Sequence, residues 1–202
     1  MQKSTDLHNS CRHSSLAFQF LNCVLLLIYK QYMDVAQHCN VRLLLNQSVL
    51  LMDMNLQSPS LAGVFGIESD RGFQHYLKGE AEIEDLLVNP SIERLVVVPG
   101  AGSAANSSEL LSAPATAQFF KDAKRRYKNR FIVCDLPALL PTDDVLAVMS
   151  NLDCVLLVIE EGKNSAVDLK RALQILQSTE LIGTILNKTH SDLKMEESTL
   201  GR

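Results

Sequence analysis

From residue 49 onward, short apolar runs alternate with longer stretches whose apolar residues recur at helical spacing. The runs are Val49–Met52, Leu95–Val98, Phe131–Cys134, Cys154–Ile159 and Ile182–Leu186. They are rich in Val, Ile and Leu, the composition of strands buried on both faces of a sheet. Between them, Phe120, Ala123 and Tyr127 mark one apolar helical face, with Pro114 suited to the helix start. Val145, Met149 and Leu152 mark a second, with Thr142 as its expected N-cap, and Ala166, Leu169, Leu173 and Leu176 a third, with Asn164 as its expected N-cap. Strands alternating with helices imply right-handed crossovers. The pattern therefore predicts an α/β domain over residues 49–189, a mostly parallel sheet with helices on both faces, in three layers.

The flanks read differently. Residues 1–48 are rich in Ser, Asn, Gln, His and Cys and contain neither glycine nor proline; the first glycine of the chain is Gly63. They read as a divergent N-terminal segment ahead of the domain. Its one apolar run, Leu16–Tyr29, is interrupted by Gln19 and Asn22. A spanning helix needs about 20 apolar residues, so the run reads as a buried helix or strand, with a membrane or interfacial segment as the alternative. Residues 190–202 form a polar tail.

Composition narrows the chemistry. At 47% apolar residues the chain can bury a sizeable core, and a formal net charge of −4 argues against a nucleic-acid partner. The five cysteines are odd in number and irregularly spaced, which suits a reducing compartment without a disulfide framework. His8, His13 and His38 lie near Cys11, Cys23 and Cys39, but no closely spaced Cys pair accompanies them, so they read as scattered polar and core residues rather than a zinc site.

Three strands end in polar residues of functional interest. Val49-Leu-Leu-Met delivers Asp53, followed by Asn55 and Gln57. Phe131-Ile-Val-Cys delivers Asp135, followed by Leu136 and Pro137. Ligands of open α/β sheets bind beyond the carboxyl ends of strands, and a carboxylate there can hold Mg²⁺ as a Walker-B Asp does. The bland alternative for each Asp is a residue that ends a strand and opens a turn. The strand Ile182–Leu186 ends in Asn187-Lys188, and an Asn side-chain amide can both donate to and accept from an adenine edge. Lys124-Arg-Arg-Tyr-Lys-Asn-Arg130 could dock phosphate or lipid headgroups, but reads first as the solvated last turn of a helix. A phosphate-cradling loop of the G-x-x-x-x-G-K-[ST] type is absent from residues 1–62, which lack glycine; only Lys3-Ser4 echoes its end.

Taken in order, several segments resemble one family. The Asp53 strand with its Asp-x-Asn sequence and Pro59 is similar to a second Walker motif. Gly72-Phe-Gln-His-Tyr-Leu-Lys-Gly-Glu80 and Ile83-Glu-Asp-Leu-Leu87 follow, then Val98-Pro-Gly-Ala-Gly102, Asn106-Ser-Ser-Glu-Leu-Leu111 and the Walker-B-like Phe131–Pro137. Residues 49–188 so resemble the kinase domain of bacterial tyrosine kinases of the capsular and exopolysaccharide type, within the MinD/ParA-like P-loop ATPases. The resemblance implies a P-loop NTPase-like fold and a catalytic group of Asp53, Asn55 and Asp135. It implies Mg²⁺ on Asp53 and Asp135, ATP contacted by Lys3, Ser4 and Asn187, and a role in exopolysaccharide or capsule synthesis or export. A membrane polysaccharide-export or chain-length protein would be the partner. The chain would be cytoplasmic, associated with the membrane through that partner, with room for a homo-oligomer. The departures are definite. Asn55 stands where the family has a second Asp, Gln57 where it has a basic residue, the Walker A glycines are missing, and Glu196–Arg202 contains no tyrosine. An amide supplies neither a general base nor a negative charge. The competing readings are therefore a non-catalytic regulatory binding module and a MinD/ParA-like ATPase of another role.

Overall fold

The computed structural model describes the backbone of residues 23–27 and, in full, residues 48–127 and 130–187. Six strands form one sheet: β1 (Cys23–Leu27), β2 (Ser48–Asp53), β3 (Leu95–Val98), β4 (Arg130–Leu136), β5 (Cys154–Glu160) and β6 (Leu181–Asn187). Their spatial order is β3-β2-β4-β1-β5-β6, and every neighbouring pair is parallel. All five apolar runs from residue 49 onward are strands, as their composition requires.

The expected domain boundary at residue 49 is corrected. β1 lies inside the segment set apart as N-terminal, yet it pairs with β4 on one side (Leu25 opposite Cys134) and with β5 on the other (Leu25 opposite Val155). A strand bonded along both edges is integral to its sheet, so the apolar run Leu16–Tyr29 contributes a central strand. Among the described residues no helix is long and apolar enough to cross a membrane.

Alternation along the strands sends side chains to two faces. Leu50 and Met52 of β2 join Ile132 and Cys134 of β4 and Val155 and Leu157 of β5 in the larger core. This core is covered by α2 (Phe73–Leu77), α3 (Ser107–Ser112), α4 (Pro114–Arg126), α5 (Asp144–Met149) and α6 (Ala166–Ile175). Val49, Leu51, Leu95, Val97 and Val133 point to the other face, where Leu61 of α1 (Leu61–Phe65) covers them. Helices on both faces of a parallel sheet make the three-layer arrangement that the apolar pattern predicts.

Local signals set the helix ends. Pro114 occupies the first turn of α4, and Lys124, Arg125 and Arg126 its last turn. Two expected caps shift by one residue. α6 is capped by Ser165, not Asn164: the Ser165 hydroxyl accepts from the Asp168 backbone N–H at 3.1 Å, while the Asp168 carboxylate accepts from the Ser165 N–H at 3.2 Å. Asp143, not Thr142, precedes α5, and the Thr142 hydroxyl donates to the Ala138 carbonyl instead. Lys124, Arg125 and Arg126 form the last turn of α4, with Arg125 and Arg126 exposed as expected; Lys124 pairs with Asp153, Arg126 with Glu84, and the Arg130 guanidinium lies 5.2 Å from the Tyr127 ring centre.

Candidate functional site

Asp53 and Asp135 end the adjacent strands β2 and β4 and are partners in register. Directly paired residues of neighbouring strands share a face, so the two carboxylates project to the same side of the sheet, beyond Leu51 and Val133. Both are buried. Asp53 Oδ2 accepts from the backbone N–H groups of Ser60 (2.8 Å) and Leu61 (2.9 Å), at the start of α1. Asp53 Oδ1, both oxygens of Asp135 and the Ser60 hydroxyl are buried without a hydrogen-bond partner among the described residues.

Three buried carboxylate oxygens without donors need protons or a cation. Burial raises the Asp53 carboxyl to about 6, against the pull of its backbone N–H partners. Asp135 is pushed well above the usual carboxylate range, by burial first and then by the neighbouring charge of Asp53. The folded state holds the Asp53 proton to higher pH than the unfolded chain does, so the associated stability is present below about pH 4 and is lost as pH rises through about 6. Each tenfold gain in proton affinity on folding is worth about 1.4 kcal/mol, so ~3 kcal/mol is at stake for Asp53. Urea unfolding in EDTA should therefore show stability declining as pH rises above about 4, and Asp53→Asn should lessen the decline between about pH 4 and 6, leaving the part that belongs to Asp135; an unchanged slope in the variant would place its origin elsewhere.

A divalent cation satisfies the same oxygens. Among the described residues no cluster of three or more His, Cys, Asp or Glu side chains is arranged to hold a metal, so the described residues offer two carboxylates here. That set suits Mg²⁺, which keeps several waters and takes one or two carboxylates, better than Zn²⁺, which wants three or four protein ligands.

The walls are set by two glycines. A Cβ on Gly72 would overlap the carbonyl oxygens of Pro99 and Gly100, and one on Gly100 would press on Pro59 and sit 3.2 Å from the Asp53 carboxyl carbon. The loop after β3 thus lies flush against both the loop after β2 and the start of α2, where the Phe73 N–H donates to Pro99 O at 2.9 Å. Ala101 in this loop has φ +92, an uncommon conformation for a residue with a side chain. Gly72→Ala should force the loop off Asp53 and cost about 1–3 kcal/mol by overpacking; thermal unfolding checks the cost, and an unaltered midpoint would show that the contact yields freely.

Of the other expected site residues, Asn55 adjoins the pair, its backbone N–H being among the hydrogen-bond partners of Asp53, whereas Asn187 lies apart from it. Asn55 is buried just past β2, and its Oδ1 accepts the Ser58 N–H at 3.3 Å, shaping the turn. Asn187 ends β6 in register with Glu160, and its carbonyl accepts the Glu161 N–H at 3.0 Å. β6 is three strands from β4, roughly 14 Å at the usual strand spacing. Lys3 and Ser4 lie outside the described residues. They precede β1 in the chain, whereas a phosphate loop follows its strand and leads into a helix.

One group escaped the sequence reading. Asp144, at the start of α5, is fully buried and accepts from Gln57 Nε2 (3.1 Å), the Ser107 hydroxyl (3.0 Å) and the Ser108 hydroxyl. In the sequence it looks like an ordinary acidic residue of a first helical turn. Its partner Gln57 stands out in the sequence only as a departure from a basic residue.

No family model matches the chain. Curated relatives do. It is 29% identical over 145 residues to the succinoglycan biosynthesis transport protein ExoP of Rhizobium meliloti, covering 69% of this chain and 18% of that protein. It is 24% identical over 145 residues to the putative tyrosine-protein kinase CapB of Staphylococcus aureus, covering 71% of this chain and 63% of that one. The curated proteins it is similar to are bacterial tyrosine kinases and transport proteins of the capsule and exopolysaccharide type. It spans less than two thirds of the length of either protein. Solved structures agree on the fold. The kinase domain of the Escherichia coli tyrosine kinase ETK superposes with TM-score 0.76 at 21% identity, over 92% of this chain and 74% of that one. The Pyrococcus horikoshii septum site-determining protein MinD, solved with Mg-ADP, superposes with TM-score 0.66 at 20% identity, over 84% and 72%. The kinase and MinD structures share the P-loop NTPase-like α/β fold found here.

Proposed function

We propose that this chain is a tyrosine-kinase-like nucleotide-binding domain of a capsule or exopolysaccharide system, and that it binds ATP with Mg²⁺ at the carboxyl ends of β2 and β4. The observation that carries the reading is the register pair Asp53–Asp135, two buried carboxylates with three oxygens that lack donors among the described residues. Asp53 and Asp135 would hold the ion, which supplies charge neutralisation for phosphates. Asp53 is oriented by the Ser60 and Leu61 N–H groups. Asn187, farther along the same edge of the sheet, suits the base. The partner would be a membrane polysaccharide-export or chain-length protein, which would bring a cytoplasmic domain to the membrane.

A second reading is favoured by Asn55. It stands at the second acidic position, and its carbonyl is engaged in a turn. A neutral amide there removes a candidate base, leaving a nucleotide-binding module that regulates its partner without transferring phosphate. Calorimetry with ATP and Mg²⁺, followed by a transfer assay on tyrosine, separates the two. Binding with transfer supports the kinase, and binding without transfer supports the module. No heat at millimolar nucleotide would contradict both.

A further inference from the structure

The loop joining β2 to α1 carries both N–H groups that hold Asp53, and it is tied down from its far side. The Gln57 carbonyl accepts from the Ser103 hydroxyl at 2.7 Å, and the Leu56 carbonyl accepts from the Ala104 N–H at 2.8 Å. The Gln57 side chain, although that residue is exposed, reaches inward. Its Nε2 donates to Ser107 Oγ and to Asp144 Oδ2, each at 3.1 Å. Ser107 donates its own proton to Asp144 Oδ1 at 3.0 Å, and Ser108 donates to the same oxygen. A fully buried carboxylate thereby gathers donors from two separate segments, the β2 loop and the start of α3, onto the start of α5. None of these donors carries charge, and a buried acid held by several neutral donors is costly to disturb.

We infer that Asp144 is a positioning residue for Asp53: through Gln57 it fixes the loop whose Ser60 and Leu61 N–H groups hold Asp53 Oδ2, leaving Oδ1 turned toward the ion. The second half of this statement rests on the Mg²⁺ reading; the first does not. The chain of contacts runs from Asp144 to Gln57, from Gln57 along three residues of loop to Ser60, and from Ser60 and Leu61 to Asp53. It accounts for a buried acid that takes no part in the metal pair, and for the amide at position 57. An amide donates to Asp144 without placing a second cation beside the site.

Two readouts test it on the full chain. Hydrogen exchange of the Ser60 and Leu61 amides reports the clamp without metal, and Mn²⁺ titration reports the ion site. Gln57→Glu repels Asp144 with a second carboxylate, which can swing out to solvent from this exposed residue, so folding is retained while the tie is lost. Exchange at Ser60 and Leu61 should speed up by about tenfold relative to the strand amides of Leu50 and Ile132, and Mn²⁺ affinity should fall by a similar factor. Gln57→Lys, which gives Asp144 a charged donor, should preserve slow exchange at Ser60 and Leu61 while weakening Mn²⁺ affinity through its added positive charge, and Asp144→Ala should resemble Gln57→Glu. Uniform changes across all four amides, or none at Ser60 and Leu61 in either disruptive variant, would overturn the inference. If the unaltered chain takes no Mn²⁺, the nucleotide reading fails, while exchange still decides whether Asp144 governs the clamp.

Discussion

Asp135→Asn should make the metal-free protein more stable at pH 7 and at the same time sharply weaken its affinity for Mg²⁺. Few substitutions are expected to act so strongly in both directions. In the folded chain Asp135 is buried, neither of its oxygens has a donor among the described residues, and its register partner is another carboxylate. Ionising it there opposes both desolvation and the charge of Asp53. The amide removes that charge and can donate to Asp53, a gain on the order of 2 kcal/mol. The same change removes one of two carboxylates available to the ion, and affinity for Mg²⁺ should drop by about 100-fold or more. Urea unfolding in EDTA and Mg²⁺ titration read the two effects separately. A variant that is less stable without metal, or that binds Mg²⁺ as tightly as before, would show that Asp135 is satisfied by some other group.

Phe73→Ala should cost about 3–5 kcal/mol, a large part of the stability of a domain this size. Phe73 is fully buried. Its ring meets Phe119 edge-on at 5.2 Å and stacks on Tyr76 at 5.9 Å, and Phe119 in turn meets Phe120 at 5.5 Å. Truncation loses the aromatic contacts and leaves a cavity between α2 and α4 that these rigid rings cannot fill. Phe73 also follows Gly72 at the loop that lines Asp53, so Mg²⁺ affinity should weaken along with stability. Denaturant unfolding measures the main effect, and a loss below about 1 kcal/mol would mean that the aromatic cluster repacks.

The sheet was largely legible because β2 to β5 are mostly buried on both faces and so appear as uninterrupted Val, Ile and Leu runs, and the half-exposed edge strand β6 keeps the same composition. Asp53 and Asp135 were legible for a related reason: a carboxylate ending such a run stands at the end of the sheet where ligands bind. β1 was harder to place. Its five residues sit in a longer apolar run among polar neighbours, with no glycine or proline to punctuate it, and periodicity alone does not separate a buried strand from a buried helix. The Asp144 network left almost no trace in the sequence. Gln57, Ser107, Ser108 and Asp144 come from three segments, and only the folded chain brings their polar atoms within hydrogen-bond reach. The caps at Ser165 and Asp143 differ from expectation by one residue, the usual ambiguity where several polar residues precede a helix.

The ion site itself can be located by adding Mn²⁺ to the full chain and recording backbone amide signals by NMR. Selective broadening is expected at Met54, Ser60, Leu61 and Leu136, which flank the two carboxylates, with loss of that pattern in Asp135→Asn. Broadening centred on another group of residues, or the same pattern persisting in the variant, would contradict an ion site at Asp53 and Asp135.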